Sequence, residues 1–565
     1  MNVIAPHLPI LPIVLPLLAA GALLLVSESQ RTVRRSIALA SIAGQLVTAL
    51  TLLYLTTDSV PEIWSRGIGV YSLGAWPAPF GIVLVVDRLS AMMLALGAIV
   101  ALATLVYSMS HWDRPGQPFH PLFQLLTMGL NGAFLTGDLF NLFVFFEVLL
   151  AASYGLVLRG VGTVRVRTGL HYIAINLFAS FLFLIGVALI YGTAGTLNMA
   201  DLLGRVQALE ADERALFDAG AWILGIAFLT KAGSWPLNSW LPGAYSVSMA
   251  PLAAGFAMMT KVGVYAVLRI GTLLGEDQAA AAILGEILYY TGIVTLVSGT
   301  IGMLATLHLR RLVSYSVIVS SGLLLASLGL GIEALTAPVL FYLATSVLTT
   351  AAFFLVAGMT DRTRLFFDAA GAEVPKAPPA SSPGAVPETG TRALPGYMGF
   401  GVHEPDPYGT EEEVGTPIPI AIAFLGSMFV CCVLLVTGLP PMPSFIAKFA
   451  LLSTVLETAP AAGEAGAGWG LVVAILVSGL VGIVALTRIG IRLFWTVTQR
   501  RTPRLHVLEA SPVAFLVLLC LALVAASGPV MGFLQATARS LHDPGTYIES
   551  VLSARYADTG RGTQP

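Results

Sequence analysis

TGDLFNLFVFFEVLLAASYGLVLRG, residues 136–160, is the stretch that decides the fold. From Leu139 to Leu158 it is an apolar run with a single charge, Glu147. A helix needs about 20 such residues to cross the hydrocarbon core of a bilayer. A charge near the bilayer centre costs at least ~2.5–3.5 kcal/mol on insertion scales, so Glu147 is expected to face a partner or a wet path, not lipid. Asp138, at the start of the run, joins this span to the one before it.

The rest of the chain has the same character. Of 565 residues, 56% are hydrophobic and only 11% charged, with a mean hydropathy of +0.84; soluble domains carry about 25% charge. This composition excludes a soluble enzyme, a disulfide scaffold and a disordered chain. The 29 Lys and Arg nearly balance 31 Asp and Glu, which excludes a strongly basic nucleic-acid binder. Cys431, Cys432 and Cys520 lie in apolar runs without CxxC spacing, so they read as packing residues. No metal site and no cofactor site is expected, and no phosphate-binding glycine motif sits between a strand and a helix. Residues 1–10 contain no Lys or Arg, so no cleavable signal is expected.

Window reading gives an all-α polytopic membrane protein with about 14 transmembrane helices, near 8–27, 36–56, 82–107, 121–137, 139–158, 169–192, 215–234, 250–273, 280–306, 312–332, 336–358, 418–446, 469–496 and 512–534. Residues 196–213 alternate apolar and charged positions at helical spacing and predict an interfacial helix. Arginines concentrate in alternate loops: Arg31, Arg34 and Arg35; Arg159, Arg165 and Arg167; Arg310 and Arg311; Arg500, Arg501 and Arg504. Arg66, Arg205, Arg214 and Arg269 are nearly all that the intervening loops hold. The positive-inside rule places the first set in the cytoplasm and both termini in the periplasm. Residues 361–416, rich in Pro, Gly, Ala and acids, read as an extended cytoplasmic loop.

Further ionisable residues stand in or beside spans. Lys231 ends AWILGIAFLTK, Lys261 lies in APLAAGFAMMTKVGVYAVL, and Lys448 follows TGLPPMPSFIA. Glu147 and Lys231 read as a proton-handling pair in preference to a static ion pair, because separating a buried carboxylate from an ammonium favours proton exchange between their states. For Asp87 and His308 an interaction at a helix end is the better reading, and for Lys261 and Lys448 the passive alternative is snorkelling. Two spans are broken: KAGSWPLNSWLPGAYSVSMAP carries Trp235, Pro236 and Pro242, and VTGLPPMPSFIAKF carries Pro440 and Pro441. Breaks at matching places in two halves suggest inverted five-helix repeats and an ion path near the midplane. The expected organisation is 1–107, an N-terminal three-helix segment; 120–274, a first repeat; 280–498, a second repeat; and 512–565, a final span and tail.

The runs 136–160 and 167–202, the stretch KAGSWPLNSWLP (231–242) and EEVGTPIP followed by GLPPMPSFIAKF resemble the D subunits of Mrp-type multisubunit Na+/H+ antiporters, over about residues 80–500. The antiporter-like subunits of respiratory complex I and membrane hydrogenases share the Glu, the Lys and the breaks. The resemblance implies a proton relay of Glu147, Lys231, Lys261 and Lys448, supported at the breaks by Trp235, Pro236, Pro242, Pro440 and Pro441. It has departures: His308 stands where complex I relatives often carry an acid, and Thr345 stands where a histidine is common, so the path between Lys261 and Lys448 would rely more on water. Asp138 belongs to the same supporting set.

The reading is a bacterial inner-membrane, proton-translocating subunit of a monovalent cation/proton antiporter. The resemblance implies Na+ as the cation and other small membrane subunits as partners. The bilayer is its environment, nucleic acid is not expected, and it is a transporter component, not an enzyme. The alternatives are the proton-pumping arm of a complex I-like oxidoreductase or membrane hydrogenase, and a module driving proton flow for inorganic-carbon uptake.

Overall fold

The computed structural model describes residues 5–57, 64, 66–113, 118–160, 162–274, 278–371, 419–494 and 505–554. After a short 3-10 turn (Ala5–Ile10) come α1 (Leu11–Leu25) and α2 (Arg31–Leu55), then an antiparallel hairpin of β1 (Gly69–Ser72) and β2 (Val83–Val86). The helices α3 (Arg88–His111), α4 (Phe119–Leu135), α5 (Leu139–Val157), α6 (Thr163–Ala194), α7 (Met199–Gln207), α8 (Ala211–Ala232), α9 (Trp240–Val247), α10 (Ala250–Gly255) and α11 (Met259–Leu274) follow. The second half runs α12 (Gln278–Ala305), α13 (Leu309–Gly329), α14 (Glu333–Gly371), α15 (Ile420–Thr437), α16 (Pro443–Thr458), α17 (Ala465–Phe494), α18 (Val507–Ala525), α19 (Ser527–Leu541) and α20 (Pro544–Leu552).

Thirteen helical segments of the described residues are long and apolar enough to cross a membrane. The 17-residue α4 is shorter but occupies the fourth expected position, 121–137, and brings the number to fourteen. Four boundaries differ from the sequence reading; in one, the expected span 418–446 stops at Thr437 and the chain resumes as the separate helix α16, which runs on to Thr458. Residues 83–86 form a strand, and helix α3 starts only after Asp87, whose side chain accepts from Ser90 N–H and so fixes the first turn. Residues 361–371 continue α14, so the first part of the expected loop is helical; 372–416 lie outside the described residues. The last span ends at Ala525 and the chain turns into α19 and α20, whose Leu534, Tyr547 and Val551 are buried. The expected interfacial segment is α7, with Met199, Leu202, Leu203 and Val206 on its buried face.

Burial divides the helices. The segments α3, α10–α11, α13 and α14 are enclosed almost completely, while α1, α2, α15, α17 and α18 keep broad apolar faces exposed. Exposed apolar helix faces are what lipid solvates. Close packing uses glycine where backbones touch. A Cβ at Gly292 or Gly322 would lie 2.3 Å from Ala326 N or 2.4 Å from Leu296 N, so α12 and α13 approach as small-residue membrane helices do.

The described arginine-rich loops gather at one end of the bundle; Arg500, Arg501 and Arg504 lie outside the described residues. Arg35 pairs with Asp113 at 2.5 Å, Arg159 donates to the Trp112 carbonyl at 2.7 Å, Arg310 pairs with Asp361 at 2.5 Å, and Arg362 pairs with Glu509. Burial alone would raise the Asp113 carboxyl, but His120 and Arg35 outweigh it and bring it down to about 2. The opposite end holds the hairpin, α7, α20 and a bridge between Asp138 and Asn198. Arg269 belongs to that end. It is not the loop arginine that its place in the sequence suggests. It lies inside the last turns of α11, pairs with Asp87 at 2.6 Å, and is flanked by the rings of Tyr265 and Tyr547.

Candidate proton-handling site

Lys231 is set by the end of α8. Gly233, at φ 74°, stops the helix in the left-handed conformation, so the last turn delivers Lys231 where the span breaks. A Cβ at Gly263 of α11 would lie 2.5 Å from Ala232 N, so α11 presses directly on this turn. The Lys231 side chain is buried, with Nζ 5.0 Å from the centroid of the Phe146 ring and donating to Ser180 Oγ of α6 at 3.4 Å. Phe146 packs in turn on Phe183 and Phe228. The ammonium therefore sits on an aromatic face with one long hydrogen bond.

Glu147 is one residue along α5 from Phe146. Its Oε1 is buried and accepts no hydrogen bond, and among the described residues Glu147 makes no ion pair. No hydrogen bond joins it to Lys231, whose Nζ donates to Ser180 Oγ instead. The static ion pair, the alternative to the proton-handling reading, is absent among the described residues: the two side chains stand apart, with Phe146 against the lysine.

Lys261, on the enclosed α11, donates to Ser320 Oγ at 2.8 Å and Ser321 Oγ at 3.5 Å, both on α13. Ser320 also lines a cavity that reaches Lys448. Its wall carries the hydroxyls of Ser316, Ser320, Tyr342, Ser346, Thr437 and Ser444, and it has about 30 Å3 of room for water. That is enough for one or two molecules. Thr345 does not line it: the Thr345 hydroxyl is fully buried and donates to the Tyr342 carbonyl of its own helix at 3.1 Å. The neighbouring Ser346 faces the cavity instead.

Lys448 closes the far side. Its Nζ donates to the carbonyls of Thr437 at 2.8 Å and Val436 at 3.3 Å, the last of α15. Unpaired carbonyls at a helix C-terminus attract a cation. Gly438, at φ 76°, caps α15, and a Cβ there would fall 2.7 Å from Lys448 Cδ. The break at Pro440 and Pro441 turns the chain so that α16 returns Lys448 to that terminus.

The supporting residues are dispersed. Trp235 is half exposed, and its N–H donates to Thr295 Oγ1 of α12 at 2.8 Å, which ties the first break to the second half. Pro236 follows it in the break, and Pro242 is buried in the first turn of α9. Asp138 caps α5 by accepting from Asn141 N–H at 2.9 Å. Asp87 is likewise a helix cap, as expected, and also an ion-pair partner. His308 occupies the cap position of α13, but its side chain does not cap; it faces a cavity beside Arg310 and Arg311. Sequence reasoning missed Ser180, Ser320 and Ser321 as lysine partners. Their only signal was polarity on helix faces that an apolar span could have filled. No group of three or more His, Cys, Asp or Glu among the described residues could hold a metal.

Lysines held within broken helices, with a water-sized, hydroxyl-lined gap between two of them, define an antiporter-like, multi-pass membrane protein. Residues 136–400 match the family described as NADH:quinone oxidoreductase/Mrp antiporter, TM. The chain is 49% identical over 557 residues to the D component of a probable K(+)/H(+) antiporter of Rhizobium meliloti, covering 97% of this chain and 98% of that one. It is 33% identical to the D component of a Na(+)/H(+) antiporter of Alkalihalophilus pseudofirmus, covering 97% and 99%. It belongs to this family of Mrp antiporter D subunits. Its fold is that of a chain in the Mrp complex from Dietzia sp. DQ12-45-1b, with a TM-score of 0.76, 23% identity, and 98% and 100% of the two chains covered.

Proposed function

We propose that the chain is the proton-translocating D component of a multisubunit monovalent cation/proton antiporter. The observation that carries this reading is the hydroxyl-lined, water-sized cavity joining the partner of Lys261 to Lys448 across a broken span. An ammonium has three donors and no acceptor, so it passes a proton only to a group with a free lone pair. Hydroxyls and water supply that group between the two lysines. Glu147 and Lys231, held apart at the other end, form the element whose charge states respond to one another. The relay then runs Glu147, Lys231, Lys261, Lys448, within repeats at 120–274 and 280–498.

The arginine-rich end faces the cytoplasm in this reading and both termini face the periplasm of a bacterial inner membrane. The family description also covers oxidoreductase components, but antiporter relatives matched over nearly the whole chain favour the antiporter. The relative named for K+ is 49% identical and the one named for Na+ is 33%, which supports K+ over the Na+ expected from sequence. The test is cation-dependent pH change in inverted vesicles carrying the whole complex, with K+ and Na+ compared and the single chain as control. Exchange by the complex and none by the chain alone is expected. Equal exchange by the isolated chain would overturn the multisubunit reading.

A further inference from the structure

The break after α8 is docked on the second half of the chain by Thr295 of α12. Thr295 is fully buried. Its own proton goes to the Thr291 carbonyl at 2.6 Å, which leaves the two lone pairs of its hydroxyl for the break. Trp235 N–H donates to Thr295 Oγ1 at 2.8 Å, and the Ser234 hydroxyl lies 3.1 Å from it. Asn238 adds a longer bond to Ser298 Oγ at 3.3 Å, three residues further along α12. The helix α8 has ended at this point, so the Trp235 N–H has no helical partner, and a backbone donor away from water must find another acceptor. Thr295 supplies it.

Thr295 also stands beside a place where two helix backbones touch. A Cβ at Gly322 of α13 would fall 2.4 Å from the nitrogen of Leu296, the residue after Thr295, and a Cβ at Gly299 of α12 would fall 2.9 Å from Val319 N. These two contacts bracket Ser320 and Ser321, the residues that accept from Lys261 Nζ. Packed interiors compress little, so α12 and this part of α13 shift together. The donor is held to the same place. A Cβ at Gly263, two residues past Lys261, would fall 2.5 Å from Ala232 N. Both ends of the hydrogen bond from Lys261 to Ser320 are thus fixed to residues 231–235, the donor helix through Ala232 and the acceptor helix through Thr295.

We propose that Thr295 is a positioning residue of the relay, a role that rests on the relay reading: it ties the turn that carries Lys231 to the α13 serines that seat Lys261. A displacement of the α8 terminus then carries α12 and α13 with it and resets the distance between Lys261 and Ser320. Chains of packed backbone and hydrogen bonds are the physical carriers of such coupling. Without the Thr295 hydroxyl, the Lys231 turn still presses on α11 but no longer moves the acceptors of Lys261.

The test is the initial rate of cation-dependent proton exchange in inverted vesicles carrying the whole complex, with abundance read by blot and melting temperature compared. Thr295→Val removes the acceptor and keeps the shape, while the bond from Asn238 to Ser298 still holds the break on α12. It should slow exchange about tenfold, the order expected for one unmet buried donor, at wild-type abundance. Thr295→Ser keeps the hydroxyl and should restore most of the rate; a rate as low as that of Thr295→Val would overturn the proposal. Ser320→Ala acts at the far end of the same link. The double variant Thr295→Val/Ser320→Ala should therefore be about as slow as Ser320→Ala alone, where independent effects would multiply to about a hundredfold. A multiplied loss, or wild-type exchange by Thr295→Val, would also overturn it. If Thr295→Val fails to assemble, Ser234→Ala removes one partner of Thr295 and leaves α12 intact. It should slow exchange about threefold and again fail to multiply with Ser320→Ala. Wild-type exchange by Ser320→Ala would sink the relay reading itself, whereas slow exchange by Ser320→Ala beside normal exchange by Thr295→Val would sink only the role of Thr295.

Discussion

Lys448 of α16 donates at 2.8 Å to the Thr437 carbonyl that ends α15, so one half of the broken span supplies the cation that the other half's terminus attracts. The contact passes over Gly438, which has no side chain to obstruct it.

Gly438→Ala is therefore expected to impair transport. The methyl group would meet the Lys448 stem, and an L-residue at φ 76° costs roughly 1–2 kcal/mol. Lys448→Ala should impair it strongly while the complex still assembles. Vesicle assays with protein abundance checked by blot decide this; near-normal transport by Lys448→Ala would return that lysine to a snorkelling role.

Glu147→Gln keeps shape and hydrogen-bonding capacity but cannot take up a proton. It should abolish proton-coupled exchange at normal protein level. Lys231→Arg should fail or be much weaker, because guanidinium does not deprotonate in proteins. Glu147 and Lys231 are not in contact, so the double variant Glu147→Gln/Lys231→Met should be no more stable than the singles predict by addition. Full exchange in Glu147→Gln would move the proton path elsewhere.

Ser320→Ala removes the 2.8 Å acceptor of Lys261 and one hydroxyl from the wall of the water-sized cavity. A lost hydrogen bond to a charged group is worth about 1.5–3 kcal/mol, so exchange should slow by roughly tenfold or more. Thr345→Val should have little effect, because the Thr345 hydroxyl serves only its own helix. Comparing initial exchange rates in the two variants separates a cavity route from one passing Thr345.

Arg269→Ala leaves Asp87 buried without its charge partner. Breaking a buried pair from one side costs about 3–5 kcal/mol, so the variant should assemble poorly or melt much lower. A wild-type melting temperature would show that Asp87 is neutralised in some other way.

Asp113 gives a pH signature at the arginine-rich end. Burial works against its charge, but His120 and Arg35 win and hold it at about 2 against an ordinary 3.8. A lowered carboxylate stabilises fully above the unfolded value and loses that contribution as pH falls from about 4 toward 2. Melting temperatures of wild type should fall in that window more steeply than those of Asp113→Asn, which should start lower at neutral pH. Parallel curves would remove Asp113 from the acid response.

The spans were legible because apolar runs of membrane length have few other uses, and Glu147, Lys231, Lys261 and Lys448 were legible because charges are costly there. What surrounds them was not. Serines and threonines occur throughout these helices and carry no penalty large enough to mark Ser180 or Ser320 as partners. Arg269 was misplaced because a cation near a span end reads as loop, and only the fold brings Asp87 to it from 182 residues away. Val83–Val86 looks like the start of a helix in an apolar window, yet it pairs with Gly69–Ser72, a pairing no periodicity announces.

The hydroxyls of Ser316, Ser346 and Thr437 donate to carbonyls of their own helices. Each hydroxyl lining the gap between Ser320 and Lys448 nevertheless keeps lone pairs that accept, and those whose O–H swings into the gap can be rewired in either sense without moving a heavy atom. Such a wire has no polarity. Under the relay reading, any valve must reside in the ammonium groups at its two terminals, and the same wire should carry current backward when the imposed ion gradient is inverted.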